Sequence, residues 1–170
     1  MAEKRYLPNH RYMNEAIALA KEAGASGDIP VGAVVVKDGS IVGRGFNRRE
    51  RDKSAVSHAE ILAIEEACRA LGDWHLDSCE LYVTLEPCPM CAGAILNSRI
   101  AKVIFGAYDP KAGSLKSVTE LFSLPYNHRP EIWGGVMEEE CRALLEDFFR
   151  ALREDESAAK KEKAAEPAER

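Results

Sequence analysis

A chain of 170 residues is long enough for one domain with its own core, and 46% hydrophobic with 30% charged residues is typical of a globular protein. No apolar run approaches the roughly 18 residues of a membrane helix, and residues 1–8 lack the apolar stretch of a signal peptide, so we expect neither. The net charge of -5 counts modestly against a nucleic-acid partner. Five cysteines, an odd number, do not suggest a disulfide framework and favour a reducing cytoplasm.

The spacing of apolar residues predicts alternating helices and strands. In chain order, the predicted elements are a helix over 9–25, strands over 31–36 and 41–46 joined by a tight turn, an exposed loop over 47–56, a helix over 57–71, a strand over 80–85, a helix from Pro87 and a strand over 101–106. Beyond these we predict a loop over 108–114, one helical turn over 118–122, a short edge strand over 131–135 and an amphipathic helix over 138–152.

A hairpin followed by strand–helix crossovers predicts an α/β fold, with a mixed sheet and helices on both faces. We place the domain at residues 1–153. From residue 154 to 170 the chain contains only Ala, Glu, Asp, Lys, Arg, Ser and Pro. Such a segment cannot add to the core, so we expect a charged tail that is frayed or disordered.

Two short segments at predicted helix starts carry side chains that bind metals. An imidazole at His58 and thiolates at Cys88 and Cys91 are good zinc ligands, and a catalytic zinc site leaves its fourth position to water. Glu60 lies two residues after the histidine, where it can move protons for that water without binding the metal. H-x-E followed by P-C-x-x-C is the signature of zinc-dependent nucleobase deaminases. We therefore predict one zinc ion per chain, held by these three ligands, with Glu60 as the catalytic residue.

Each part of this pattern also has a simpler explanation. Cys-x-x-Cys after a strand occurs in thioredoxin-like redox proteins, Ser57-x-x-Glu60 has the spacing of a capping box, and a lone histidine is typical of a surface. The conjunction of the two motifs favours the zinc site. A fourth protein ligand is not expected, because Cys79 precedes the strand that leads to Cys88 and lies roughly 20 Å away by strand rise. Cys68 and Cys141 are expected to be buried in helices, and His10, His75 and His128 are expected at the surface.

The chain from about Tyr12 to Arg153 resembles the bacterial tRNA-specific adenosine deaminases of the cytidine deaminase superfamily, which make inosine at the anticodon wobble position. The matching segments are 28–34, 45–47, 58–61, 85–94, 106–111, 126–128 and 147–150. The resemblance implies a three-layer α-β-α cytidine-deaminase-like fold with a mixed five-stranded sheet. It also implies hydrolytic deamination of adenosine 34 in a tRNA anticodon stem-loop, by a cytoplasmic homodimer.

The resemblance further implies which residues contact the RNA. Asn47 and the backbone at Ala59 would contact the flipped adenine, and Asp109 and Lys111 would hold the bent loop nucleotides. The residues that would line the path of the anticodon strand are Asn127, Arg129, Phe149, Arg150 and Arg153.

The sequence leaves two other functions open. A free-base or nucleoside deaminase that acts on guanine or cytosine would keep all four metal-site residues and lose RNA binding. A redox protein, or a zinc-stabilised binding module, would use the same cysteines without turnover.

Overall fold

Five strands form one mixed sheet in the computed structural model, which describes residues 6–165. The strands are β1 (Gly32–Lys37), β2 (Ser40–Phe46), β3 (Glu80–Leu85), β4 (Lys102–Ala107) and β5 (Glu131–Trp133). Their order in the sheet is β2-β1-β3-β4-β5. Strand β1 pairs antiparallel with β2 and β3, whereas β3, β4 and β5 are parallel. This arrangement confirms the predicted fold class.

Helices cover both faces of the sheet, because the strands alternate their side chains between the two sides. The helices are α1 (His10–Ala25), α2 (Arg49–Asp52), α3 (Ala59–Leu71), α4 (Pro89–Asn97) and α5 (Glu138–Ala165), with a 3-10 turn at Leu121–Ser123. Val34 and Val36 of β1 pack in a cluster with residues of α1 and α5. Ala33 and Val35 belong to the opposite cluster, which includes residues of α3 and α4. The two clusters form the core of a three-layer molecule.

The sheet brings three chain segments to one of its ends. Gly32 at the start of β1 pairs with Phe46 at the end of β2, and Leu85 at the end of β3 pairs with Ala107 at the end of β4. The residues that follow β2, β3 and β4 therefore emerge side by side. Open α/β sheets place their sites at the carboxyl ends of such strands.

The segment after β2 is more ordered than the exposed loop predicted from its charge. It contains the short helix α2, whose backbone N–H groups at Glu50 and Arg51 donate to the Asp28 carboxylate at 2.7 and 3.1 Å. Asp28 is buried. The partner that stabilises this segment is thus a carboxylate some 20 residues earlier in the chain, which local composition does not indicate.

Helix α5 extends past the predicted domain boundary. It continues through residues 154–165, where the sequence predicts a frayed or disordered tail, and its side chains at 154–164 are exposed. Ala, Glu and Lys favour the helix, so the backbone can continue it without any packing. The boundary at residue 153 stays a prediction, and the last part of the predicted tail, 166–170, lies outside the described residues. None of the helices in the described part is long and apolar enough to span a bilayer.

Candidate active site

Three metal-binding side chains converge where α3 and α4 begin. His58 Nδ1 lies 3.7 Å from Cys88 Sγ and 3.6 Å from Cys91 Sγ, and the three donor atoms lie within 4.8 Å of one another. A tetrahedral zinc ion at ordinary bond lengths separates a nitrogen and a sulfur ligand by about 3.6 Å. The donor set therefore fits zinc, with one coordination position left for a non-protein ligand. Within residues 6–165, this is the one cluster of three or more such side chains close enough to share an ion.

The start of α4 places two thiols side by side and favours the thiolate form of Cys88. Cys88 is the N-cap of the helix, and Pro89, rather than Pro87, occupies its first position. A hydrogen bond with Cys91 lowers the pKa of the Cys88 thiol to about 4, and the same bond together with burial raises the pKa of Cys91. The partial positive charge of a helix N-terminus also favours the thiolate, which is the form that binds metal.

Glu60 lies beside the donor set in the first turn of α3. Its side chain is 4% exposed, and burial raises the pKa of its carboxyl to about 7. A carboxyl with a pKa near neutrality can both accept and release protons. The capping-box alternative fails, because α3 begins at Ala59 with His58 as its N-cap and without a side-chain capping bond. Glu60 therefore occupies the second helical position instead of the third, so the spacing that a capping box needs is absent.

His58, Glu60 and Cys88 open into a cavity of about 170 Å³. This volume lies below the roughly 300–1,000 Å³ of drug-sized ligand pockets, so it suits one small group. Three of the residues predicted to contact the substrate line it, namely Asn47, Ala59 and Asp109. Its apolar walls come from Ile29, Val31, Leu85 and Ala112. The cavity therefore combines apolar walls with a few polar groups.

Asn47 is held firmly at the cavity. Its Nδ2 donates to the carbonyl of Ile29 at 3.2 Å, and its Oδ1 accepts from the N–H of Arg49 at 3.3 Å. The side chain is 8% exposed. A primary amide has two donor hydrogens and two acceptor lone pairs, so one of each remains for a ligand.

The other residues expected to contact RNA do not line the cavity. Lys111 is exposed on the loop after β4. Asn127 accepts from Arg99 Nη1 at 2.8 Å, and Arg129 donates to the carbonyl of Ser123 at 3.4 Å. Phe149, Arg150 and Arg153 are exposed on α5. These six residues are therefore not part of the cavity wall, and their roles stay predictions.

The remaining cysteines and histidines stay apart from the metal donors. Cys79 and Cys141 are buried and Cys68 is half-buried. His10 and His75 are exposed, as expected. His128 differs from the surface position predicted for it, because it is half-buried and its Nε2 lies 2.7 Å from the carbonyl oxygen of Ile100.

The sequence did not assign a role to one buried carboxylate of the cavity wall. Glu86 is 2% exposed and accepts hydrogen bonds from the loop that follows β4. A charged residue at the end of an apolar strand, directly before a metal-ligand segment, is the signal that points to it. Its partners belong to a segment more than 20 residues further on, so the sequence alone does not name them.

Comparison with known proteins places these features among deaminases. Residues 8–153 match the model of the MafB19-like deaminase family. The chain is 51% identical to the tRNA-specific adenosine deaminase of Bacillus subtilis (strain 168), over 88% of this chain and 94% of that one. A structure from a study of A-to-I editing by tRNA:A34 deaminases has a TM-score of 0.78 at 41% identity, covering 81% of this chain and 100% of that one. Guanine deaminase from Bacillus subtilis has a TM-score of 0.59 at 36% identity, with coverage of 73% and 79%.

Proposed function

Because this chain belongs to the MafB19-like deaminase family and is related to the tRNA-specific adenosine deaminases, we propose that it converts adenosine to inosine at the wobble position, position 34, of a tRNA anticodon. One observation carries the proposal: His58, Cys88 and Cys91 meet beside a buried Glu60 at a cavity that also contains Asn47.

The proposed cofactor is one zinc ion per chain, held by His58 Nδ1 and the two cysteine sulfurs. The distances between these donors support the assignment. When bound, zinc would lower the pKa of a water molecule to about 7, so that a hydroxide nucleophile is available in neutral solution.

Glu60 is the proposed proton carrier. Hydrolytic deamination adds a water oxygen to C6 of adenine and releases the exocyclic amine as ammonia. The Glu60 carboxylate would accept one proton from the water and deliver it to the neighbouring ring nitrogen, and would then carry the second proton to the departing amine. Its raised pKa supports both directions of transfer, because a carboxyl that titrates near pH 7 accepts and releases protons at similar cost.

The cavity would receive the adenine after it leaves the base stack. Asn47 and the backbone at Ala59 would contact its polar edge, and Ile29 and Val31 offer apolar surface to its faces. Asp109 and Lys111 would contact the neighbouring nucleotides of the anticodon loop. The residues proposed to follow the anticodon strand further out are Asn127, Arg129, Phe149, Arg150 and Arg153.

We also propose that the protein works as a homodimer in the cytoplasm, where its tRNA substrate occurs. Met90 and Leu96 of α4 are half-buried in the single chain, whereas Ile95 of the same helix is fully buried in the core. The first two side chains therefore keep apolar surface for a second copy. Light scattering of the purified protein measures the oligomeric state directly.

The decisive experiment incubates the zinc-loaded protein with an anticodon stem-loop that carries adenosine at position 34. Sequencing then reports inosine as guanosine at that one position. Free guanine, cytosine and adenosine are assayed in parallel, since the 36% identity to guanine deaminase makes guanine the most informative competitor. Inosine at position 34 without turnover of free guanine supports the proposal, and turnover of guanine with an unedited stem-loop overturns it.

A thiol-reagent experiment separates this enzyme from a redox protein. Holoenzyme with one zinc ion per chain should protect Cys88 and Cys91 from alkylation and from oxidation, because both sulfurs are metal ligands. Rapid formation of a reversible Cys88–Cys91 disulfide in zinc-loaded protein would favour the redox function instead.

A further inference from the structure

The deamination chemistry does not use the buried carboxylate of Glu86, yet five donors point at it. Its Oε1 accepts from the backbone N–H groups of Leu115, Lys116 and Ser117 at 3.1, 2.7 and 2.9 Å. Its Oε2 accepts from the N–H of Asp109 at 3.1 Å and from the Ser117 hydroxyl. All five donors belong to the loop over residues 109–117, which we call the cap loop. One side chain therefore accepts hydrogen bonds from both ends of this loop.

The cap loop is packed closely around that carboxylate. A Cβ atom at Gly113 would lie 2.3 Å from Glu86 Oε2 and 2.5 Å from the carbonyl oxygen of Asp109. Because no side chain fits between these atoms, glycine is required where the loop passes over Glu86. The N–H of Ser114 also donates to the carbonyl of Pro87 at 2.9 Å, which adds a second link to the segment that carries Cys88.

The cap loop supplies part of the cavity wall. Asp109 and Ala112 line the cavity beside His58, and Glu86 lies two residues before the ligand Cys88. A contact between substrate and this wall depends on where the loop lies relative to the metal donors. Glu86 connects the two, because it follows β3 on one side and holds the loop on the other.

We propose that Glu86 is a positioning residue, which holds the cap loop in the conformation that binds the anticodon loop. This role rests on the proposed function. Only a carboxylate suits the position, since every group that faces it is a donor. A glutamine of the same shape would direct its NH₂ group at one or more of these N–H groups and leave them without an acceptor in a buried place.

The test is Glu86→Gln, assayed on the anticodon stem-loop and compared with the wild-type holoenzyme. We expect KM to rise by about tenfold or more, because losing hydrogen bonds to a charged acceptor weakens the bound conformation of the loop by enough to change affinity about tenfold. We expect kcat to stay within about threefold and the zinc content to remain near one, since His58, Cys88, Cys91 and Glu60 keep their places. A purely structural defect would instead lower zinc content, kcat and thermal stability together.

A second readout does not depend on activity. Lys111 and Lys116 are trypsin sites within the cap loop, so release of the loop should speed cleavage at both in Glu86→Gln. The matched control is Glu66→Gln. Glu66 also accepts a backbone N–H, from Arg44 at 3.0 Å, but it is exposed and lies outside the cavity. Its KM and cleavage rate should match those of the wild type.

If Glu86→Gln does not fold, Ser117→Ala decides the question, because it removes one donor and leaves the carboxylate in place. We expect a smaller rise in KM and faster cleavage at Lys116. Unchanged KM and unchanged cleavage in the folded variant would overturn the inference. A wild-type protein that forms no inosine at all would instead overturn the proposed function. In that case the cleavage assay would still test whether Glu86 fixes the conformation of the cap loop.

Discussion

Glu60 and Glu86 lie in the wall of the same cavity, but their surroundings shift their pKa values in opposite directions. Burial raises the pKa of Glu60 to about 7. Burial also acts to raise the pKa of Glu86, but hydrogen bonds from Ser117, Asp109 and Lys116 outweigh it and hold the pKa below its ordinary value. Carboxyl groups whose pKa values are separated in this way have different roles. Glu60 can carry protons, whereas Glu86 stays ionised and holds a loop.

Replacing Glu60 tests the proton carrier directly. In Glu60→Gln we expect inosine formation to fall by at least about 100-fold, because an amide of the same shape cannot accept a proton. Zinc content should stay near one per chain, since Glu60 is not a ligand. Inosine yield and metal analysis on the same sample measure both.

The control for this variant is Glu65→Gln, which removes an exposed carboxylate from the same helix and should leave the rate unchanged. An active Glu60→Gln protein would contradict the assignment of Glu60.

The residues of the metal site could be predicted from the sequence because their chemistry is local. Cys88 and Cys91 lie three residues apart at a helix start, so spacing alone places their side chains on one face. Glu60 follows His58 by two residues, so the short separation along the chain keeps it near the proposed metal ligand. The cap loop could not be predicted in the same way. Its partner is Glu86, and the contact depends on where β3 and β4 end relative to each other, which no local pattern contains.

Elements of the sheet match their predicted boundaries closely, whereas two of the helix starts differ by two residues. The strand over 80–85 is found at the predicted residues, because a continuous, mostly apolar run that is buried on both faces of the sheet defines it. Helices α3 and α4 each begin two residues later than predicted, at Ala59 and Pro89. In both helices the N-cap is a proposed metal ligand, and its position is set by the site as well as by capping preference.

The contact between β2 and α3 depends on glycine. A Cβ atom at Gly45 would lie 2.2 Å from the carbonyl oxygen of Ala59 and 2.6 Å from the backbone nitrogen of Ala63. We expect Gly45→Ala to lower the free energy of unfolding by about 1–3 kcal/mol, because α3 must move away from the sheet. Urea denaturation measures the change.

The matched control is Gly93→Ala in α4, where a Cβ atom meets nothing within 4 Å. Alanine in a helix interior should raise the free energy of unfolding by about 0.5–1 kcal/mol. Equal effects of the two substitutions would show that β2 and α3 are not in close contact.

The exposed end of α5 gives a prediction for this element. Cys141 is buried against the sheet, whereas the side chains at 154–164 are all exposed. A protein that ends at residue 153 should lose helical circular dichroism and keep its urea midpoint, because the removed residues bury no apolar surface. A lower midpoint would indicate that the segment packs on the domain.

At the scale of the whole molecule, the proposed zinc ion would join two helices that the chain does not join directly. His58 precedes α3, and Cys88 and Cys91 belong to the start of α4. A ligand that binds only the folded state adds its binding free energy to stability. Chelation should therefore abolish inosine formation and lower the melting temperature by at least about 5 °C.

Calorimetry of the apo and zinc-reloaded protein measures this shift, and reloading should restore both properties. The control is His75→Ala, which removes an exposed histidine away from the donors and should leave the shift unchanged. An apo protein that melts at the same temperature as the holoenzyme would contradict a link between α3 and α4.

The solvent-exposed run of α5 over residues 154–164 has a practical consequence for engineering. Residues 154–165 advance by about 18 Å at the rise of an α-helix. A fluorescent reporter or second module grafted onto this run would stand clear of the catalytic body on a semi-rigid spacer. Each residue inserted would move the module about 1.5 Å further along the helix axis and rotate it by about 100° around that axis.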